Sequence, residues 1–388
     1  LNTLGRAVIN TTVLWELYDR TQDPLVLACV GGVQVVPVAI LFAPAGALVD
    51  RVDRRVLAMI AALGTGGVGL GLALGSLLAA PIWLYFILLL IQGGLVAIHA
   101  PATSAILANL APRPLMPRAN RLLSSVSETA QITAPACAGL ALLFVEPALV
   151  YAAVAGTATV SASFYRSLPS SRRAGPVVRG DWRIGVRYIF RTPLLLSALT
   201  LDMLAILFAG VVALLPVIAT ELLGVDSFGY GILRASQPAG AVLMAIIGGM
   251  IPAWRHPGRV LLVVVALYGL ATIGIGLSRS LPLTAIFLMS CGALDNISVV
   301  IRLTLEQAVV PDAIRGRVAA VHNVFIGMSN ELGGAESGLA AFLFGTSAAI
   351  VLGGGLAVVV AIAAAARWPQ LVRMPPLAEL QTIPDEPR

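Results

Sequence analysis

The sequence has no lysine and few charges of either sign. All 25 of its basic residues are arginine, and charged residues make up 11% of its 388 positions, against about 25% in soluble domains. So few charges cannot cover the surface of a soluble protein of this length. Hydrophobic residues make up 58% of the chain, and the mean hydropathy is +0.93. The composition therefore predicts an integral membrane protein.

The residue types that build disulfides and metal sites are scarce. Cys29, Cys137 and Cys291 are widely spaced within apolar runs, which predicts small buried hydrophobic side chains rather than disulfides. The three histidines are scattered, and no His, Cys or carboxylate cluster has metal-ligand spacing. The phosphate-binding pattern Gly-x-x-x-x-Gly-Lys-Ser/Thr is also absent, so direct use of ATP is not expected. We expect no metal, no cofactor and no enzyme active site.

Long apolar runs, by contrast, fill the chain. A membrane-spanning helix needs about 20 apolar residues, and polar breaks leave twelve runs of suitable length. We predict spans at residues 1–17, 25–49, 56–79, 82–108, 119–144, 147–165, 194–222, 229–252, 260–277, 282–309, 318–344 and 347–366. The first span is taken to end at Glu16 and the polar turn after it. The chain begins at Leu1 inside a predicted helix, with no cleavable signal peptide, so we expect a few residues to precede it.

Arginine is distributed unequally between the two sides of these spans. Most arginines fall in loops on the side of Arg51 and Arg55, and the opposite side receives only Arg20 and Arg279. Cytoplasmic loops carry the excess of basic residues in membrane proteins. We therefore predict a multi-pass protein of the inner (plasma) membrane with both termini in the cytoplasm. This topology accounts for the net charge of +6, and no nucleic-acid partner is expected.

One long polar connection, residues 166–193, divides the spans into two sets. Its first part is rich in Ser, Pro and Gly, as flexible linkers are. In its second part apolar residues alternate with Arg183, Arg187 and Arg191, which predicts an amphipathic helix on the inner membrane surface. The predicted parts are an N-terminal six-helix bundle (1–165), the linker (166–193), a C-terminal six-helix bundle (194–367) and a cytoplasmic tail (368–388).

The two predicted bundles repeat in sequence. At one constant offset, Pro112 matches Pro311 and Arg118 matches Arg317. Related halves around a cavity at the membrane midplane are typical of transporters built from repeats. We therefore predict an all-α integral membrane protein with twelve transmembrane helices, arranged as two six-helix pseudo-repeats around a central cavity.

A charged turn joins the second and third predicted spans. It reads Gly46-Ala-Leu-Val-Asp50-Arg51-Val-Asp53-Arg54-Arg55, and its pattern resembles the corresponding loop of major facilitator superfamily transporters. The resemblance implies a cytoplasmic gate motif made of Gly46, Asp50, Arg51, Arg54 and Arg55. In such a motif the Asp50 carboxylate caps the helix that begins near Val318, where the helix dipole stabilises a negative charge. The alternative is that these charges only specify topology.

Other segments resemble particular branches of that family. The stretch around Pro135 and Gly139 is similar to the antiporter motif of the fifth helix of exporters, where small residues allow close helix contact. Leu89 stands where drug–proton antiporters carry an arginine, which keeps other modes of transport open. Three further stretches resemble the branch that contains the enterobactin exporter and macrolide-efflux-like proteins. They are Gly231–Ala235, Pro311–Arg317 and Ser329–Gly338.

Several charged and polar residues lie inside predicted spans. A charge at a helix centre costs about 2.5–3.5 kcal/mol on insertion scales, so it usually faces a cavity or a partner. The candidates for proton coupling or a substrate cavity are Asp295, Glu331, Glu336, Asp202, Arg302, Asn296, Arg6 and Glu128. Asp295 and Arg302 are two turns apart on one helix face, although Arg302 could instead pair with Glu306. Asp202 could be only interfacial. We hypothesise that Glu331 or Asp295 is the protonation site.

These features predict a secondary active transporter, most simply a proton-coupled exporter of an amphipathic small molecule, a siderophore or a drug, that works by alternating access. The expected partners are the small-molecule substrate, protons and the lipid bilayer, and the chain is expected to be a monomer. One alternative is an importer, or a lipid or metal transporter, because a fold does not fix its substrate. Another is a non-transporting membrane scaffold or sensor, against which the intramembrane carboxyls argue.

Overall fold

The first half of the chain forms six long helices. The computed structural model describes residues 1–110, 115–169, 182–250, 254–311 and 314–380, and no strand occurs among them. The first helices are α1 (Asn2–Thr21), α2 (Pro24–Arg51), α3 (Arg54–Leu77), α4 (Ile82–Leu110), α5 (Met116–Ala141) and α6 (Pro147–Ser167). α1 continues past Glu16 to Thr21, four residues beyond the end predicted for the first span. The Glu16 carboxylate is buried and hydrogen-bonded, so the helix can continue past it without exposing it to water.

The charged turn after α2 is shorter than the sequence suggests. Because α2 continues to Arg51 and α3 begins at Arg54, only Val52 and Asp53 separate the two helices. The Asp53 carboxylate caps α3 by accepting a hydrogen bond from the Arg55 backbone N–H at 3.0 Å. The Arg55 guanidinium in turn donates to the carbonyl of Leu168 at 2.9 Å. Both hydrogen bonds hold the start of α3, on the C-terminal side of the turn.

The predicted amphipathic helix is present as α7 (Trp182–Arg191), and Thr192 alone separates it from α8 (Pro193–Ala209). The span predicted at 194–222 is irregular in its second half. It continues through a 3₁₀ turn (Val212–Leu214), the short α9 (Leu215–Val217) and a π-helical turn (Ile218–Leu222). Gly210 ends α8, and its carbonyl accepts a hydrogen bond from the Ser337 hydroxyl at 3.0 Å.

The remaining helices are α10 (Ser227–Gly248), α11 (Pro257–Leu277), α12 (Leu281–Val309), α13 (Arg315–Phe344), α14 (Thr346–Arg367) and α15 (Pro369–Val372). Within the described ranges, eight helical segments are long and apolar enough to cross a membrane. Four further helices, α1, α2, α5 and α13, have at least 20 residues. These segments match the predicted spans to within a few residues. The predicted all-α membrane fold is confirmed.

The chain divides into two compact units. Unit 1 comprises Leu1–Arg179 and Leu215–Ala235, and unit 2 comprises Gly180–Leu214 and Ser236–Arg388. In unit 1, α3 packs against α4 and α6, and α1 packs against α5 and α6. In unit 2, α11 packs against α12 and α14, and α8 packs against α13 and α14. Residues 215–235 thus join the unit built from the first six helices.

Glycine allows one very close helix contact in unit 1. A Cβ atom at Gly139 of α5 would stand 2.5 Å from the Cα atom of Gly231 in α10. The carbonyl oxygen of Pro135 also lies within contact distance of Gly231. The small residues of this stretch therefore let two backbones meet, as they do in other membrane helices.

The cysteines differ in part from the expectation that all three are buried. Cys291 is buried, whereas Cys29 and Cys137 are exposed free thiols. A membrane-spanning helix need not bury its apolar residues in protein, because lipid chains are as apolar as a protein interior. An apolar run therefore locates a span but does not predict which of its faces is buried.

Candidate functional site

A buried ion pair joins α8 to α12 in unit 2. Nη1 of Arg302 lies 2.6 Å from Oδ2 of Asp202, and only 2% of the Arg302 side chain is exposed. Ser298, one turn before Arg302, donates a hydrogen bond to Oδ1 of Asp202 at 3.4 Å. Nε of Arg302 donates to the hydroxyl and the carbonyl of Ser298 at 3.2 and 3.3 Å. Asp202 is therefore the buried partner of Arg302.

Asp295 lies at the open side of this pair. Its Oδ1 atom is 4.0 Å from Nη2 of Arg302, and 35% of its side chain is exposed. Asp295 lines a small cavity together with Asp202, Ser298 and Tyr268, and the rest of the cavity lining is apolar. Two carboxylates thus share one guanidinium. The trio carries a net charge of −1 when both acids are ionised, and one bound proton makes it neutral.

A second buried pair lies one turn further along α12. Nδ1 of His322 in α13 is 2.6 Å from Oε2 of Glu306, and 3% and 5% of their side chains are exposed. Nε2 of His322 is buried and has no hydrogen-bond partner among the described residues. The sequence allowed Arg302 to pair with Glu306. In the structure Arg302 pairs with Asp202 of α8, and Glu306 pairs with His322 of α13. Side chains of α12 are thus bonded to two neighbouring helices.

Glu331 and Glu336 occupy different faces of α13, as predicted from their spacing. Gly333, which lies between them, packs against α8, since a Cβ atom there would be 2.8 Å from the carbonyl oxygen of Ile206. Residues two apart in a helix are about 200° apart around its axis. Glu331 therefore lies on the side of α13 away from α8, and Glu336 lies nearer to α8. Both side chains are partly exposed.

The remaining candidates lie apart from the Asp202–Arg302 pair in sequence. Asn296 follows Asp295 on α12 and is partly exposed. Arg6 lies on α1 in unit 1, between Asn2 and Asn10, whose Oδ1 atoms are buried with no hydrogen-bond partner in the described part of the chain. The same holds for both amide atoms of Gln92 in α4. Buried amides with unused hydrogen-bonding capacity need a partner, and a polar ligand could supply one.

Some predicted site residues lie outside what the structure describes. They are Gly46 and the side chains of Asp50, Arg51 and Glu128, although the backbones of these residues lie in α2 and α5. The predicted contact of Asp50 with the start of α13 therefore stays a prediction. Across the described ranges, no three His, Cys, Asp or Glu side chains come together as a metal site would require.

A polar cluster around Glu16 in unit 1 is not among the predicted site residues. The hydroxyls of Tyr85 and Tyr151 donate to the Glu16 carboxylate at 2.7 and 2.8 Å. Arg20, one turn along α1, lies 3.7 Å from the same carboxylate and donates to the Tyr85 hydroxyl at 3.0 Å. The spacing of Glu16 and Arg20 on one helix face was the sequence signal that could have found this cluster.

Aromatic side chains of α1 also contact the segment 215–235 of unit 1. The Tyr18 hydroxyl donates to Glu221 at 2.5 Å. The Tyr230 hydroxyl donates to the carbonyl of Thr11 at 3.0 Å. The rings of Tyr230 and Trp15 stack with their centroids 5.2 Å apart. These contacts hold the segment against α1.

Comparison with known proteins identifies relatives over most of the chain. The family model described as Major Facilitator Superfamily matches residues 1–334. Macrolide efflux protein A of Streptococcus pyogenes is 22% identical over 376 residues, which cover 93% of this chain and 92% of that protein. Enterobactin exporter EntS of Shigella flexneri is 26% identical over 327 residues, 81% of this chain and 76% of that protein. Among solved structures, a D-xylose–proton symporter superposes with a TM-score of 0.73 at 15% identity, covering 98% of both chains.

Proposed function

Because the chain belongs to the major facilitator superfamily, whose members are transporters and not enzymes, we propose that it exports an amphipathic small molecule in exchange for protons. Export is supported by the likeness to macrolide efflux protein A and to an enterobactin exporter, at 22% and 26% identity. A macrolide and a catechol siderophore are both small organic molecules that combine apolar and polar parts. The substrate we propose is of that class, a drug or a siderophore.

The observation that carries proton coupling is the sharing of Arg302 by two carboxylates. Asp202 is tightly bonded at 2.6 Å and buried, whereas Asp295 is 4.0 Å away and 35% exposed. Burial of an uncompensated charge is costly, so a cluster with a net charge of −1 favours uptake of a proton when water is excluded. The more exposed carboxylate, Asp295, is the group that a proton can reach. Protonation of Asp295 leaves Asp202 and Arg302 as a neutral pair.

In this mechanism the proton and the substrate bind to the carrier in turn. Asp295 binds a proton when its side of the carrier meets the outside solution, and the neutral cluster can then be closed off from water. When the cavity opens to the cytoplasm, Asp295 releases the proton and the cluster regains its negative charge. Because the cavity of an alternating-access carrier opens to one side at a time, the proton is taken up from the outside solution and released into the cytoplasm. A proton therefore enters the cell as a substrate leaves it. The proposed location is the inner membrane, with both termini cytoplasmic and the chain acting as a monomer.

Glu331 is the second candidate for the coupling residue. It lies on the face of α13 away from α8, and thus away from the cluster around Asp202. A carboxylate in that position can meet a substrate or a proton without disturbing the buried ion pair. Glu336, which lies nearer to α8, is assigned to helix packing. The amides of Asn10 and Gln92 are proposed to hydrogen-bond substrate from unit 1.

Transport in proteoliposomes with an imposed pH gradient tests the proposal. The substrates are a macrolide and a catechol siderophore, and a pH-sensitive dye inside the vesicles follows the protons. We expect substrate movement that requires the gradient and falls at least tenfold in Asp295→Asn. The matched control is Glu146→Gln, which removes an exposed carboxylate between α5 and α6 and should transport like the wild type.

Each result separates the proposed roles. Loss of gradient-driven transport in Glu331→Gln, but not in Asp295→Asn, would transfer coupling to Glu331. Movement of substrate that ignores the gradient would exclude proton coupling and leave a facilitator or another coupling ion. Movement of neither compound, with intact protein, would reject the proposed substrate class.

A further inference from the structure

The helix α7 is firmly attached to unit 2 by one of its faces. The Tyr188 hydroxyl donates to the carbonyl of Val309, the last residue of α12, at 2.8 Å. Gly185 lies against the backbone of α13, since a Cβ atom there would be 2.7 Å from the carbonyl oxygen of Arg317. Ile189, on the same face, is 1% exposed. This face therefore lies on the junction between the end of α12 and the start of α13.

The opposite face of α7 is a row of cations. Arg183, Arg187 and Arg191 follow one another at intervals of four residues, so they lie on one side of the helix about 6 Å apart along its axis. All three side chains are exposed. Phe190, beside Arg191, is 58% exposed, and α7 contains no acidic residue. We call these four side chains the arginine face.

The chain itself places the arginine face at the membrane boundary. Only Thr192 separates α7 from α8, and α8 begins the membrane-spanning segment Pro193–Leu222. Two steps of about 3.8 Å between successive Cα atoms join Arg191 to Pro193. The face cannot lie far from the bilayer, whichever side of the membrane it occupies. An exposed aromatic side chain among cations is also typical of helices that lie in the interface.

We propose that the arginine face of α7 binds the headgroups of anionic phospholipids. Guanidinium groups form paired hydrogen bonds with phosphate oxygens, and three of them in a row attract a negatively charged membrane surface. Phe190 enters the boundary between headgroups and acyl chains. Because the other face of α7 holds the α12–α13 junction, bound lipid stabilises the part of unit 2 that carries Glu306 and His322. The proposal is independent of the substrate and of proton coupling.

Purified protein in nanodiscs tests this binding directly. One set of nanodiscs contains phosphatidylcholine alone, and the other contains equal parts of phosphatidylcholine and phosphatidylglycerol. We measure the thermal unfolding midpoint and the phosphatidylglycerol retained by the solubilised protein. The variant Arg183→Gln/Arg187→Gln/Arg191→Gln removes the row. The control Arg255→Gln/Arg259→Gln/Arg373→Gln removes the same number of exposed charges elsewhere in unit 2.

The wild type should unfold at a higher temperature with phosphatidylglycerol and retain it selectively. Each basic residue near an anionic surface contributes about 1 kcal/mol, which corresponds to roughly fivefold in affinity. Removal of the row should therefore weaken retention by about 100-fold. The control arginines also lie near a span but do not form a row on one helix face, so the control variant should lose much less retention than the row variant. If the triple variant does not fold, Arg187→Gln alone should weaken retention by roughly fivefold.

Three results would overturn the proposal. Equal loss in the row variant and the control would mean that only net charge matters. Unchanged retention in both would mean that anionic lipid binds elsewhere or not selectively. Stabilisation of the wild type by inorganic phosphate to the same extent as by phosphatidylglycerol would mean a simple anion site.

Discussion

The guanidinium of Arg302 and the carboxylate of Asp202 lie 2.6 Å apart on neighbouring helices, and both are almost completely buried. Each neutralises a charge that would otherwise stand alone in an apolar interior. Removal of one partner therefore costs much more than replacement of both by apolar residues of similar size. A comparison of the single and double variants therefore distinguishes the contribution of the pair to stability from its contribution to transport.

Arg302→Met should lower the free energy of unfolding by about 3–5 kcal/mol, because it leaves Asp202 buried and unpaired. The double variant Asp202→Leu/Arg302→Met should be about as stable as the wild type, since Asp295 is partly exposed and can stay hydrated. Denaturant unfolding in mixed micelles measures both, with the exposed Arg259→Met as control. A double variant as unstable as the single one would show that the polar groups themselves are needed for folding.

Tyr151→Phe should cost more than Tyr230→Phe, although both side chains are fully buried. The Tyr151 hydroxyl donates to the Glu16 carboxylate, and the Tyr230 hydroxyl donates to a neutral backbone carbonyl. Hydrogen bonds to charged groups contribute about 1.5–3 kcal/mol and neutral ones about 0.5–1.5 kcal/mol. The same unfolding experiment ranks the two variants. Equal costs would contradict the prediction that the bond to Glu16 is the stronger of the two.

Gly139→Ala should destabilise unit 1 by about 1–3 kcal/mol, the usual cost of overpacking. The new methyl group would meet the backbone of Gly231 at 2.5 Å, and no rotamer change can relieve contact with a backbone. Gly156→Ala in α6 is the matched control, because its Cβ atom would meet nothing within 4 Å. The control should be neutral or slightly stabilised, since alanine favours helix. A harmless Gly139→Ala would mean that α5 and α10 separate easily.

Glu331→Gln and Glu336→Gln should differ in transport. On the role proposed for Glu331, contact with substrate or a proton, Glu331→Gln lowers gradient-driven transport at least tenfold and leaves the packing of α13 against α8 intact, because Gly333 and not Glu331 meets α8. Glu336→Gln should transport nearly as well as the wild type. Initial rates in proteoliposomes at matched protein content measure both. The reverse ranking would assign the transport role to the residue nearer α8.

Helix positions could be predicted well because every span needs a run of about 20 apolar residues. Apolar runs bounded by polar residues gave the ends of α3, α6 and α12 to within about two residues of those in the structure. One boundary error occurs where a polar residue is buried. The first span is predicted to end at Glu16 and the polar turn after it, whereas two tyrosine hydroxyls and Arg20 satisfy the Glu16 carboxylate inside unit 1 and α1 continues to Thr21.

The candidate site could be predicted only in part. The spacing of Asp295 and Arg302 placed them on one face of a helix, and the structure brings them within 4.0 Å. The choice of Asp202 over Glu306 as the close partner of Arg302 depends on how α8 packs against α12, and no local spacing encodes that. His322 was dismissed as one of three scattered histidines. Its bond to Glu306 arises from the approach of two separate helices.

The division of the chain also has a consequence for biosynthesis. Unit 1 includes residues 215–235, which leave the ribosome after α7 and α8. Until they are made, Tyr18 lacks its acceptor Glu221, and Gly139 lacks the backbone against which it packs. Unit 1 therefore cannot finish folding while only its first six helices have been translated. Its last contacts form when the second unit is already entering the membrane, so the nascent halves mature together and not one after the other.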